Sequence, residues 1–122
     1  MAKTIMIVDD SASLRQVVAI ALTGAGYDVI EGCDGKDALT KLNGQKIHLI
    51  ISDVNMPNMD GISFVKAAKQ LPAYKFTPVI MLTTEAGDAM KQQGQAAGAK
   101  AWVVKPFQPA QMLTAVSKLV LP

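Results

Sequence analysis

Two adjacent carboxylates, Asp9 and Asp10, a third at Asp53, the hydroxyl of Thr83 and the ammonium of Lys105 each follow directly on a short apolar run. If folding brings them together, the three carboxylates repel one another. Burying such charges without partners is costly, so something positive has to sit among them. Lys105 and a divalent cation would serve. Oxygen ligands that are few in number and completed by water suit magnesium better than zinc, and no His or Cys stands beside any of these positions to favour the softer metal. Magnesium held in this way commonly also grips a phosphate oxygen, so the set points to phosphoryl chemistry. Asp53 could attack phosphorus and carry the group as an acyl phosphate. Asp10, with Asp9 beside it, would hold the metal, and the backbone carbonyl of Asn55 would reach the same ion if the chain turns sharply after Asp53. Metal and Lys105 together would neutralise the charge spread over the transferring oxygens, and Thr83 would donate to the third of them.

These residues act together only if the elements before them are strands that end at a common edge. Ile5 to Val8 is continuously apolar and too short for a helix, which reads as a strand buried on both faces. A helix follows from a cap at Ser11 or Ser13 to Gly24 or Gly26, with Leu14, Val17, Val18, Ala21 and Leu22 on one face. The alternation repeats with a strand at Tyr27 to Ile30, a helix at Gly35 to Leu42, and a strand Leu49-Ile50-Ile51 that exits through Ser52 and Asp53. A turn containing Pro57, Asn58, Asp60 and Gly61 leads to a helix carrying Phe64, Ala67, Ala68 and Leu71. Pro78 opens the strand Val79 to Leu82; a helix lean in large apolar residues spans Gly87 to Ala97 and is interrupted by Gly94. Ala101 to Val104 is the last strand, and Met112, Ala115, Val116 and Leu119 define the last helix. Strand-then-helix units with short connections predict an α/β fold, a doubly wound parallel sheet with right-handed crossovers and helices on both faces. Such sheets gather their functional groups beyond the carboxyl ends of the strands, where the five polar residues fall.

A chain of 122 residues, 50% hydrophobic, supports one compact domain spanning 1–122 and not two. The lysines are scattered rather than bunched with aromatics, which argues against a nucleic-acid groove. No apolar run approaches the roughly 18 residues of a membrane span, and Lys3 runs straight into strand-like sequence instead of a signal-peptide core. The expectation is a cytoplasmic protein with no membrane partner. Cys33, the one cysteine, can make no internal disulfide and reads as a buried thiol.

Asp9-Asp10 after the first strand, the stretch Asp53-Val54-Asn55-Met56-Pro57-Asn58-Met59-Asp60-Gly61, the segment Thr83-Thr84-Glu85 and Lys105-Pro106-Phe107 resemble the receiver domains of two-component response regulators, over nearly the whole chain. The likeness is strongest to stand-alone chemotaxis receivers of the CheY type. It implies the flavodoxin-like receiver fold with strand order 2-1-3-4-5, which is known for that protein and so follows from the resemblance alone. It further implies phosphorylation of Asp53 by a histidine kinase with magnesium as cofactor, and output through a protein partner. The glycine pairs, such as Gly24 and Gly26 or Gly94 and Gly98, do not follow a first strand with dinucleotide-loop spacing, so no nucleotide cofactor is expected. Catalysis would be confined to the protein's own phosphate, so it would be no enzyme in the ordinary sense. The implied switch residues are Thr83 and Trp102, the implied docking face lies near Gly87 to Ala97, Trp102 and the last helix, and Lys105-Pro106 matches a frequent cis peptide. Trp102 stands where the family more usually has tyrosine or phenylalanine, and Thr84 where alanine is common. Gly87, Asp88 and Met90 depart from motor-binding relatives, so chemotaxis is carried over and the flagellar motor as target is not. Stand-alone receivers also serve phosphorelays and stress pathways.

Each residue alone has a plainer reading. An acidic pair after a strand often only caps a helix, Asp53 could be a solvated strand end, and Thr83 a β-former in its expected place. Asp60-Gly61 reads as capping and turn geometry, and Trp102 as packing. The lone His48 falls at the opposite edge from the aspartates, as an exposed or locally bonded histidine. The joint occurrence after four strands favours the functional reading. A magnesium-dependent phosphatase would need a second aspartate two residues after its nucleophile, where Asn55 stands, and a phosphate-independent interaction module would have no need to keep Asp10, Asp53, Thr83 and Lys105.

Overall fold

The computed structural model describes residues 2–83, 92 and 95–120. Five parallel strands, β1 (Thr4–Val8), β2 (Asp28–Gly32), β3 (Leu49–Asp53), β4 (Val79–Thr83) and β5 (Ala101–Val104), form one sheet in the order β2-β1-β3-β4-β5. This is the order that the resemblance implied. Helices α1 (Ala12–Gly24), α2 (Gly35–Lys41) and α3 (Gly61–Lys69) provide the first three crossovers, and a last helix (Pro109–Leu119) follows β5 and packs back on the sheet. Of the helix expected over Gly87 to Ala97, residues 92 and 95–97 are helical. Thr84, Glu85, Gly87, Asp88, Met90 and Gly94 lie outside the described residues.

The two-residue period of the strands divides the core into two layers. Met6, Val8, Ile50, Val79 and Met81 face α2 and α3, packing with Ala38, Phe64, Val65 and Ala68. Ile5, Ile7, Leu49, Ile51, Ile80 and Leu82 face α1 and the last helix, meeting Val18, Leu22, Met112 and Val116. Each fully buried Leu, Ile or Phe stabilises by roughly 1.5–3 kcal/mol against leaving it exposed. That common burial holds the strand ends, and the polar residues on them, at one height.

Several expectations need correcting. β2 starts and ends later than Tyr27 to Ile30, because Gly26 takes a positive φ of 97° and Tyr27 N–H is still donated to Leu22 at the end of α1, whereas Gly32 pairs with Val8. The helix carrying Phe64 stops at Lys69; Leu71 is followed by a 3₁₀ turn, Pro72–Tyr74, whose Tyr74 is buried and whose hydroxyl donates to the Gln45 carbonyl at 2.7 Å. Val17 is 50% exposed, at the margin of the α1 face rather than in it. Cys33 is exposed, because the chain leaves the sheet after Gly32. His48 sits just before β3 and is locally bonded as expected: its N–H donates to the Thr4 carbonyl at 2.8 Å and its Nδ1 accepts from the Thr4 N–H at 3.0 Å.

Candidate functional site

β1 runs buried to Val8 and delivers Asp9, fully buried, and Asp10, exposed, at its exit. Ser11 then caps α1, its hydroxyl accepting from the Leu14 N–H at 3.2 Å. Asp9 also serves this turn, accepting the Ser11 N–H on Oδ1 at 2.8 Å, so the plain capping reading of the acidic pair is partly met. The rest of the pair is not spent on the helix. Asp9 Oδ2 lies 2.9 Å from Lys105 Nζ, and carboxylate oxygens of Asp9, Asp10 and Asp53 all lie within 4.8 Å of one another.

Asp53 closes β3 and is 6% exposed. One of its oxygens, Oδ1, accepts the Val54 N–H at 2.9 Å, while Oδ2 lies 3.4 Å from Lys105 Nζ. Burial first, and then the Asp9 charge, push the Asp53 carboxyl above its ordinary pKa, against the pull of Lys105. For Lys105 burial acts to lower the pKa, but the hydrogen bond and charge of Asp9 and the charge of Asp53 outweigh it, and the ammonium is held above its ordinary value. The lysine therefore leans on Asp9 more closely than on Asp53. Lys105 and Pro106 are joined by a cis peptide, and the Lys105 N–H donates to the Thr83 carbonyl at 2.7 Å. Thr83, fully buried at the end of β4, is thus in the same patch.

One lysine against three carboxylates leaves a surplus of negative charge, half of it in a buried setting. An oxygen-only donor set of this span and charge fits a divalent hard cation, and Asp9, Asp10 and Asp53 are the residues that would hold magnesium. Asn55 is exposed just past the bend at Val54, where its carbonyl could complete the set.

The structure thus gathers Asp9, Asp10, Asp53, Thr83 and Lys105 at one sheet edge, with Trp102 on β5 opposite Met81 of β4. A response regulator receiver domain model matches residues 5–117. The chain belongs to the response regulator receiver family. This receiver is 37% identical over 119 residues to chemotaxis protein CheY1 of Helicobacter pylori, covering 96% of its own length and 95% of the relative's. It is 36% identical over 112 residues to protein PilG of Pseudomonas aeruginosa, covering 92% and 83%. The crystal structure of chemotaxis response regulator CheY4 of Vibrio cholerae superposes with a TM-score of 0.93 at 46% identity, covering 98% of this receiver and 99% of that chain. Two-component signalling and a CheY-like character are therefore established for the chain.

Sequence reasoning missed three contributors. Arg15, on the first turns of α1, donates from its guanidinium to the Asp9 carbonyl at 2.5 Å and lies 3.2 Å from Glu31, bracing the turn that carries the acidic pair. Asp34, buried, joins Asn58 across two loops. Gly61 is required sterically, since a Cβ there would stand 1.9 Å from the Asp53 carbonyl oxygen. A cation placed in the helix after an acidic pair was the signal for Arg15; Gly61 was legible as turn geometry but not for its steric role against Asp53, and the Asp34–Asn58 contact has no local signal. Trp102 is partly buried beside a cavity of about 260 Å³ lined with Gln95, Ala99, Lys100 and Ala101, and its buried indole N–H has no hydrogen-bond partner among the described residues.

Proposed function

We propose that this chain, as a single receiver domain over 1–122, is a phosphorylation-activated switch that accepts a phosphoryl group on Asp53 from the phosphohistidine of a kinase. The observation that carries the reading is the contact of Lys105 with both Asp9 and Asp53 inside a cluster of three carboxylates. Asp53 has one oxygen engaged by the Val54 N–H, leaving Oδ2 to attack phosphorus. The P–O bond forms as the P–N bond to imidazole breaks, and the leaving imidazole nitrogen takes a proton. Magnesium held by Asp9, Asp10, Asp53 and the Asn55 carbonyl would supply charge neutralisation for the transferring oxygens. Lys105 contributes a second positive charge from the β5 side, and the Thr83 hydroxyl donates to a phosphoryl oxygen. Return to the resting state is hydrolysis: water attacks phosphorus and the Asp53 carboxylate leaves.

Thr83 and Trp102 form the switch in this reading. The indole N–H, without a partner among the described residues, and the adjoining cavity support it, as both leave the ring room for a second position. An output protein docks near Gly87 to Ala97, Trp102 and the last helix. Chemotaxis is the pathway that the CheY-named relatives favour. No described helix is long and apolar enough to cross a membrane, and the reading places the switch in the cytoplasm. The test is incubation with acetyl phosphate and magnesium, followed by intact-mass measurement of wild type and Asp53→Asn. One added phosphoryl group on wild type and none on the variant is expected; phosphate on both, or at His48, would overturn the assignment.

A further inference from the structure

The loop that would carry the Asn55 carbonyl to the ion runs from Val54 to Asp60, and hydrogen bonds hold it at both ends and between them. At its ends the Gly61 N–H donates to the Val54 carbonyl at 2.8 Å, and the Val54 N–H donates to the Leu82 carbonyl at 3.0 Å. Between them the chain makes a tight turn, with the Met59 N–H on the Pro57 carbonyl at 2.7 Å and Asn58 at a positive φ of 67°. Asparagine tolerates this left-handed conformation, and so does glycine. Here the side chain does something glycine could not: Asn58 Nδ2 donates to Asp34 Oδ2 at 2.7 Å.

Asp34 is only 8% exposed and is itself rigidly held. It caps α2, with Oδ1 accepting the Asp37 N–H at 2.8 Å, and Asp37 returns the favour by accepting the Cys33 N–H at 3.0 Å. The Asp37 N–H first, and then the Asn58 amide, hold the Asp34 carboxyl below its ordinary pKa. Next to this tie Gly35 and Met59 approach so closely that a Cβ at 35 would stand 2.8 Å from Met59 Cγ. The β2–α2 loop is thus a fixed post against which the β3–α3 loop is fastened.

We propose that Asn58 and Asp34 are a positioning pair for the metal site: their hydrogen bond fixes the left-handed turn so that the loop presents the Asn55 carbonyl to the ion beside Asp53. The proposal rests on the magnesium reading of the acidic cluster. Outer groups that orient a ligand set affinity by removing the cost of ordering it, and their loss weakens metal binding by about tenfold.

Isothermal titration calorimetry with magnesium chloride tests this, on wild type, Asn58→Asp, Asp34→Asn and the double variant. Asn58→Asp keeps a residue that tolerates positive φ but sets two carboxylates against each other, and the magnesium Kd is expected to rise about tenfold. The added negative charge would by itself tighten cation binding, so a weakening cannot be an effect of charge alone. The double variant recreates the bond with donor and acceptor exchanged, keeps a competent cap on α2, and is expected to return the Kd to within about twofold of wild type. Thermal melts of the same proteins report any purely structural role. If Tm falls and recovers across the set while Kd stays constant, the pair only holds the fold together and the inference is overturned. If wild type itself binds no magnesium, the reading of the acidic cluster fails and the inference with it.

Discussion

Replacing Asp53 by asparagine should make the metal-free protein more stable, although Asp53 touches a lysine. Asp9 and Asp53 present oxygens within 4.8 Å of one another, which at an effective dielectric of ~20 is a repulsion of about 3.5 kcal/mol. Asp10 is exposed and adds about 1 kcal/mol through water. Against this, Lys105 at 3.4 Å attracts Asp53 by about 5 kcal/mol at the same dielectric. The pairwise terms nearly cancel, and burial of a 6%-exposed carboxylate decides the balance against the charged form, in keeping with its raised pKa. Asparagine keeps the shape and the acceptor for the Val54 N–H while removing the charge. The variant should therefore melt above wild type, each kcal/mol gained being worth about 4 °C in Tm for a chain of this size. Because the folded-state pKa is raised, the charge costs stability above that pKa and costs nothing once pH falls below the unfolded value, ~3.9. The advantage of Asp53→Asn should therefore be full at neutral pH and shrink on acidification. Calorimetric melts in EDTA measure it, and added magnesium should close the gap by stabilising wild type more. An Asp53→Asn protein that melts below wild type in EDTA at neutral pH would refute the charge balance derived for the cluster.

Lys105→Met removes the partner of a fully buried Asp9 and should destabilise the metal-free protein by roughly 3 kcal/mol; denaturant titration checks this, and saturating magnesium should recover a large part of the loss. Gly61→Ala drives a methyl into the Asp53 carbonyl and should cost about 3 kcal/mol or more, with phosphorylation by acetyl phosphate lost in parallel by intact mass. Asp60→Ala, next to it, removes the α3 cap, the bonds that Asp60 accepts from the Ser63 N–H and hydroxyl, and should cost about 1 kcal/mol in the same titration with phosphorylation retained. His48 is held below its ordinary pKa by burial and by Lys3 and Lys46, and its Nδ1 accepts a hydrogen bond that needs the neutral ring. The unfolded chain then takes up the proton first, so this contribution is complete above about pH 6.5 and is lost as pH falls toward the folded value; His48→Gln should flatten the pH dependence of Tm in that window.

The apolar runs at Ile5 to Val8, Leu49 to Ile51 and Val79 to Leu82, each with a polar residue at its exit, were sufficient to read the strands and to name the acidic cluster, because burial on both faces writes itself into consecutive residues. Helix faces were equally legible where burial repeats at helical spacing, as in Phe64 with Ala68 or Met112 with Val116. Parallel pairing follows from the alternation of elements, whereas the order β2-β1-β3-β4-β5 came through likeness to receivers. What only the tertiary structure decided is how the polar atoms are shared. Lys105 reaches Asp9 across 96 residues and lies nearer to it than to Asp53. Asp34 meets Asn58 across 24 residues, and the open space at Gly61 is demanded by the Asp53 carbonyl. Such contacts leave no periodic trace, since each depends on the register of neighbouring strands and the path of two separate loops. The residues able to do the chemistry are therefore written in the chain, and the partners that hold them in place are written only in the fold.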